Sequence, residues 1–255
     1  MSAYELPPRF LAGFLWSALA GRPRSFARDA ERAVARLAPP PLVLDGEHVP
    51  PRGPCLVTCN HYTRPGFPAW WLTLAVTAAV AARRAPGADP QLHWVMTAGW
   101  TFPGSPWRQR TLTPLTYWAF RRVARVYDFV TMPPMPPDPA QTEARALAVR
   151  RTLRLGRRLV AEGGMLGLAP EGRDLPAGAS LPLGEPPPGV GDFITLLVQM
   201  GFPVLPVAVA EPDGRLRLSF GPPFLPEIPP GRRARDGSVA GQVMAAIARQ
   251  LPPPA

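Results

Sequence analysis

The chain has 255 residues, 46% of them hydrophobic, and a formal charge of +10. That much apolar material can build a sizeable core in one large domain or two small ones, which excludes global disorder. All 28 basic residues are Arg, scattered without a nucleic-acid reading motif. The excess therefore points to phosphates or an acidic lipid surface rather than to nucleic acid.

In chain order, residues 10–20 form an apolar run. Residues 26–38 then carry Phe26, Ala30, Ala33, Val34 and Leu37 at helical spacing, with Arg28, Arg32 and Arg36 as one basic stripe. Two readings of this part stand side by side: a helical segment lying in a membrane interface, and an ordinary surface helix packed on the domain. Residues 1–40 are accordingly set apart as an N-terminal helical segment, and 41–255 as one α/β domain.

From residue 54 onward strand and helix patterns alternate. Strands are predicted over 55–59, 92–97, 126–131, 165–169 and 204–210, and helices over 67–82, 114–125 and 190–200. Asp138-Pro139-Ala140-Gln141 reads as the start of a further helix, which runs to Glu162 and stops at Gly163-Gly164. Pro212-Asp213-Gly214 turns the chain into a last strand, 215–220, as a hairpin. The alternation predicts an α/β fold: a mainly parallel sheet flanked by helices, with an antiparallel edge hairpin and an N-terminal helical segment.

Cys55 and Cys59 lie four apart on a predicted strand. At ~3.3 Å per residue they are about 13 Å apart, beyond disulfide reach, so a reducing compartment fits best. No secretory signal is read. The longest apolar runs, 10–20 and 69–82, fall short of the ~20 residues needed to span a bilayer.

In open α/β sheets ligands sit beyond the carboxyl ends of the strands. His61 follows the first strand of the alternation, and Pro170-Glu171-Gly172 follows the fourth. If those strands are neighbours, an imidazole and a carboxylate face one crevice. Plainer readings compete. Asn60 or Thr63 can cap the helix that follows, and Pro170-Glu171-Gly172 can be a simple turn. Cys59 beside His61 suggests a thiol–imidazole pair, against the commoner buried strand cysteine. Trp70, Trp71 and Trp100 read as core or interface aromatics. Three His and two Cys offer no metal-ligand spacing.

Taken in order, Asn60-His61-x-Thr63, Pro170-Glu171-Gly172-Arg173 and Pro203-Val204-Leu205-Pro206-Val207 resemble the blocks of the glycerolipid acyltransferase family, over residues 40–225. The resemblance implies that His61 is a general base that takes the proton of an acceptor hydroxyl. The hydroxyl oxygen then attacks the thioester of acyl-coenzyme A or acyl-carrier protein, a co-substrate rather than a cofactor. An imidazole with an ordinary pKa of about 6.5 suits that task.

The resemblance further implies that Asn60 and Thr63 shape the histidine loop and, with Arg64, belong to the substrate-binding side, and that Pro170, Glu171, Gly172 and Arg173 line the site of a lysophospholipid or glycerol-phosphate-like acceptor. The N-terminal segment and the Arg excess then imply that the protein works peripherally at the inner, anionic face of the cytoplasmic membrane. Departures from the pattern are equally specific. Gly66 stands where the family has the Asp that orients the imidazole, leaving Asp174 and Asp192 as candidate replacements. The strand at 126–132 lacks the phosphate-binding Arg, for which Arg64, Arg108 and Arg173 are the stand-ins. The alternative reading is a non-catalytic lipid-binding protein of the same fold, and a water-using thioesterase is a third.

Overall fold

The computed structural model describes residues 4–102, 104–134, 139–172 and 183–252. Its strands are β1 (Leu42–Leu44), β2 (Cys55–Cys59), β3 (Leu92–Thr97), β4 (Val130–Met132), β5 (Met165–Leu168), β6 (Val204–Ala210) and β7 (Arg217–Phe220). They form one sheet in the order β1-β7-β6-β2-β5-β3-β4. Every neighbouring pair is parallel except β6–β7.

The α/β class with a mainly parallel sheet is therefore as expected. The antiparallel hairpin, however, is not at the edge. β1, which the sequence reading missed, lies outside β7 and runs parallel to it through Leu42–Arg217, Val43–Leu218 and Leu44–Ser219. Three residues between proline-rich loops carry too short an apolar pattern to announce a strand.

The helices are α1 (Pro8–Ala20), α2 (Phe26–Val34), α3 (Ala69–Ala81), α4 (Pro106–Tyr127), α5 (Thr142–Glu162), α6 (Val190–Gln199) and α7 (Arg232–Ala248). Strand side chains alternate between two apolar layers, as the period of two requires. Cys55, Val57 and Cys59 of β2 join α2 and α3, while Leu56 faces α5, α6 and α7. Burial on both faces explains why β2 reads as an unbroken apolar run. α3 is buried nearly all round, which explains its apolar length without a membrane. None of the described helices is long and apolar enough to cross one.

Two boundaries differ from expectation for local reasons. α4 begins at Pro106, not 114, and carries Pro114 within it. Its exposed first half tolerates the missing backbone donor, which the sequence reading took for a helix start. The helix also continues through Val126 and Tyr127 until Asp128, at φ 56°, closes it in the left-handed region. Residues 126–129 are therefore not strand, and β4 starts at Val130. The Asp138 cap lies outside the described residues, and the helix that follows begins at Thr142 after a short 3-10 turn.

The missed α7 has a function in the fold. Its Asp236 carboxylate accepts the backbone N–H groups of Gly189, Gly191 and Asp192 at 2.8, 2.8 and 3.1 Å. This caps α6 from a distant helix, and the approach is so close that a Cβ on Gly191 would stand 2.0 Å from the Asp236 carbonyl oxygen. Val239, Val243 and Ile247, four apart and fully buried, were the signal for α7.

At the N-terminus, α2 buries Phe26, Ala27, Ala30 and Ala33 and turns Arg28 and Arg32 outward, and Arg36 in the turn after it is exposed as well. α1 differs: Leu11, Leu15, Trp16 and Leu19 remain exposed. The turn between them is tied to α4, because Arg24 grips Asp29 through two bonds of 2.7 Å and the Tyr127 hydroxyl donates to Asp29 at 2.8 Å.

Candidate active site

β2 is flanked by β5 and β6, so three chain segments leave the sheet at the same rim: 60–67, 170–172 and the residue after Ala210. Asn60 continues β2 by side chain rather than backbone. Its Oδ1 accepts the Val209 N–H at 2.7 Å and its Nδ2 donates to the Val209 carbonyl at 2.9 Å. The amide thus takes the place of one more residue in the ladder with β6, and it is fully buried. Asn60 fixes the point at which His61 leaves the sheet; it does not cap α3.

At β5, a turn closed by the Gly172 N–H on the Ala169 carbonyl (3.1 Å) carries Glu171 inward, to 1% exposure. Its Oε2 accepts the His61 backbone N–H at 3.0 Å. The structure therefore brings His61 and Glu171 together across 110 positions of sequence. Nδ1 of the imidazole and Oε1 of the carboxylate are both buried. Burial raises the Glu171 carboxyl above its ordinary range. The N–H groups of His61 and Gly184, then the charge of His61, offset that only in part.

Position 66 cannot supply a carboxylate to this ring. Arg64-Pro65-Gly66-Phe67 is a reverse turn in which the Phe67 N–H bonds to the Arg64 carbonyl at 3.0 Å. Gly66 takes φ +80° at the third position after Pro at the second, the pattern of a type II turn. A Cβ built there would meet Arg64 Nη1 at 3.6 Å. Gly66→Asp is thus expected to lose about 1 kcal/mol, read from a denaturant midpoint, because side chains enter the left-handed region at a cost. Its carboxylate is expected to pair with Arg64 rather than with His61.

Arg64 is itself held. Its Nε and Nη2 bind the Glu211 carboxylate, with Nη2 to Oε1 at 2.7 Å, and Nη1 donates to the Pro65 carbonyl at 2.8 Å. The hydroxyls of Tyr4 and Tyr62 donate to the same carboxylate at 2.8 and 3.4 Å. Burial alone would raise Glu211, but these bonds and the Arg64 charge outweigh it and hold the carboxyl low.

Residues 42–210 match the family model described as Acyltransferase. The chain belongs to the acyltransferase family. A similar solved structure is that of the 1-acyl-sn-glycerophosphate (LPA) acyltransferase PlsC from Thermotoga maritima. It is 16% identical, with a TM-score of 0.45, and the alignment covers 97% of this chain and 83% of that one. No curated protein matches.

Within this member of the family the remaining candidates are dispersed. The Asp192 carboxylate, at the start of α6, is bound by Arg235 of α7 at 3.3 Å. Arg108 is exposed on the first turn of α4, and Thr63 is half-buried on the histidine loop. Pro170 is buried and Gly172 exposed, on either side of Glu171. Arg173 and Asp174 lie outside the described residues. Cys59 is sealed in the core, where burial and then the neighbouring Glu171 charge push its thiol up. That removes it as a thiolate partner for His61. Glu211 and Tyr4 escaped the sequence reading. An acidic residue directly at the carboxyl end of β6 was the available signal for the first.

Proposed function

We propose that the protein transfers a fatty acyl group from an acyl-coenzyme A or acyl-carrier-protein thioester to a hydroxyl of a lysophospholipid or other lipid acceptor. The observation that carries this reading is the 3.0 Å bond from the His61 backbone N–H to the Glu171 carboxylate, at the carboxyl ends of adjacent parallel strands. In the proposed reaction His61 takes the acceptor's hydroxyl proton as the oxygen attacks the thioester carbonyl. The tetrahedral intermediate then collapses, the C–S bond breaks, and the imidazolium returns its proton to the departing thiolate. The buried Glu171 carboxylate stabilises the imidazolium and, with Gly172, borders the acceptor side.

The protein works peripherally on the inner face of the cytoplasmic membrane. Supporting this, α1 and α4 pack together and leave an aromatic face exposed, with Trp16 at 64% and Trp107 at 67% exposure. Leu15 and Leu19 on α1 and Leu115 and Trp118 on α4 add to the exposed apolar surface of the two helices. Exposed Arg9, Arg22, Arg108 and Arg121 accompany it, each adding ~1 kcal/mol near anionic lipid. Arg122 ties the two helices by donating to the Ala18 and Leu19 carbonyls and stacks over Trp118 at 5.6 Å.

Gly66 is the observation that favours a second reading, a lipid-binding protein that no longer transfers. Thiol release from acyl-coenzyme A, measured with and without a lysophospholipid, separates the readings. Transfer predicts release that depends on the acceptor. Binding without release would establish the second reading, and release without acceptor would indicate a thioesterase.

A further inference from the structure

The loop that carries His61 is gripped from behind by a residue outside the family-matched stretch, which ends at Ala210. We infer that Glu211 is a positioning residue for His61, holding its loop through Tyr62 and Arg64, and that Tyr4 makes this hold depend on the N-terminal segment. The inference rests on reading His61 as the base.

The geometry is that of a built junction. Glu211 receives donors from Tyr4, Tyr62 and Arg64, and its side chain is 2% exposed, against 39% for Arg64. A carboxylate sunk this deeply at the end of β6 binds charge and hydroxyls far more firmly than a surface ion pair does. Tyr62 directly follows His61, and Arg64 opens the turn at Gly66. Together with the Asn60 amide on Val209, β6 therefore grips the histidine loop on both sides of His61.

Tyr4 is as firmly fitted. Its ring packs edge-on to Phe67 and Trp71, at 4.7 and 5.5 Å between centroids, and Arg64 lies over it at 5.5 Å. The Trp71 indole donates to its carbonyl at 2.5 Å. Four residues later α1 begins, with its exposed apolar stripe. Whatever holds α1 also holds one of the donors that hold Glu211.

Glu211→Gln keeps the size of the side chain and removes the charge. With acyl-coenzyme A and lysophosphatidic acid, the expected result is a kcat about tenfold to a hundredfold lower, since small misplacements of a catalytic group cost that much. KM for the thioester is expected to stay within about twofold of wild type, because binding is untouched. Tyr4→Phe, which keeps the ring packing, is expected to move kcat in the same direction by less.

A second readout needs no turnover. The chain has three histidines, so the His61 ring resonance can be assigned by its loss in His61→Ala. It is expected to shift or broaden in Glu211→Gln and Tyr4→Phe. The rings of His48 and His93, held by the Phe220 and Asp128 carbonyls away from this rim, are expected to be unmoved. An unchanged His61 resonance in either folded variant, or a kcat within about twofold of wild type beside an inactive His61→Ala, would overturn the inference. A wild-type protein without transfer would end the acyltransferase reading, while the resonance still decided whether Glu211 positions the loop.

Discussion

His61→Ala is expected to lower acceptor-dependent thiol release by about 10²–10⁴-fold, the range that a positioned general base contributes. An alcohol is a weak nucleophile, and without a base its proton must leave to water. Neither of the other two histidines is placed to take over. His48 binds the Phe220 carbonyl at 2.8 Å and His93 binds the Asp128 carbonyl at 2.9 Å. His93 sits at the amino end of β3, the opposite end of the parallel sheet from residues 60 and 171. The Cys59 thiol is protonated and sealed.

The loss should appear in kcat rather than in KM, because the proton moves only as the transition state forms. His61 lies on a half-buried loop, so the melting temperature is expected to stay near that of wild type. Activity equal to wild type in a folded His61→Ala protein would remove the imidazole from the reaction.

Much of this arrangement is legible in the sequence. β2, β3 and β6 begin and end as expected because each is an apolar run of strand length with no competing helical period. From a parallel sheet follows a rim, and from the rim the meeting of His61 with Glu171. What stayed hidden were partnerships made by single atoms over long sequence separations. Arg64 reads from sequence as a free cation for a phosphate, yet it spends its donors on Glu211, 147 positions away, and on Pro65. Asn60 reads as a loop-shaping residue or, more plainly, a helix cap, yet its amide extends the ladder with β6. Neither outcome leaves a periodic trace. Gly66 is the intermediate case: Pro65-Gly66 spells a type II turn, and a type II turn already explains why an aspartate is unwelcome there.

The remaining question is which carboxylate serves the ring, and Glu171→Gln is expected to answer it with two effects of opposite sign. The first is on stability. Burial lifts the Glu171 carboxyl above its ordinary 4.5, so the folded chain holds this proton more tightly than the unfolded chain does. Its contribution is then fully present below pH 4.5, where both states are protonated, and is lost as pH rises through the folded-state value. At neutral pH the ionised group is a burden that glutamine lacks, although the amide oxygen can still accept the His61 N–H. Glu171→Gln is therefore expected to melt higher than wild type at pH 7–8, with the difference closing in acid.

The second effect is on catalysis. The same substitution removes the negative charge that holds the His61 backbone N–H, near an imidazole that the proposed reaction makes positive, and preorganised charge of this kind is worth about a hundredfold or more in rate. Turnover is expected to fall by that factor with little change in KM. A variant both less stable and less active at neutral pH would mark Glu171 as a packing residue. One more stable and fully active would show that the charge has no part in moving the proton. Greater stability with lost turnover is the combination expected if this chain has moved the orienting carboxylate from position 66 to the end of β5.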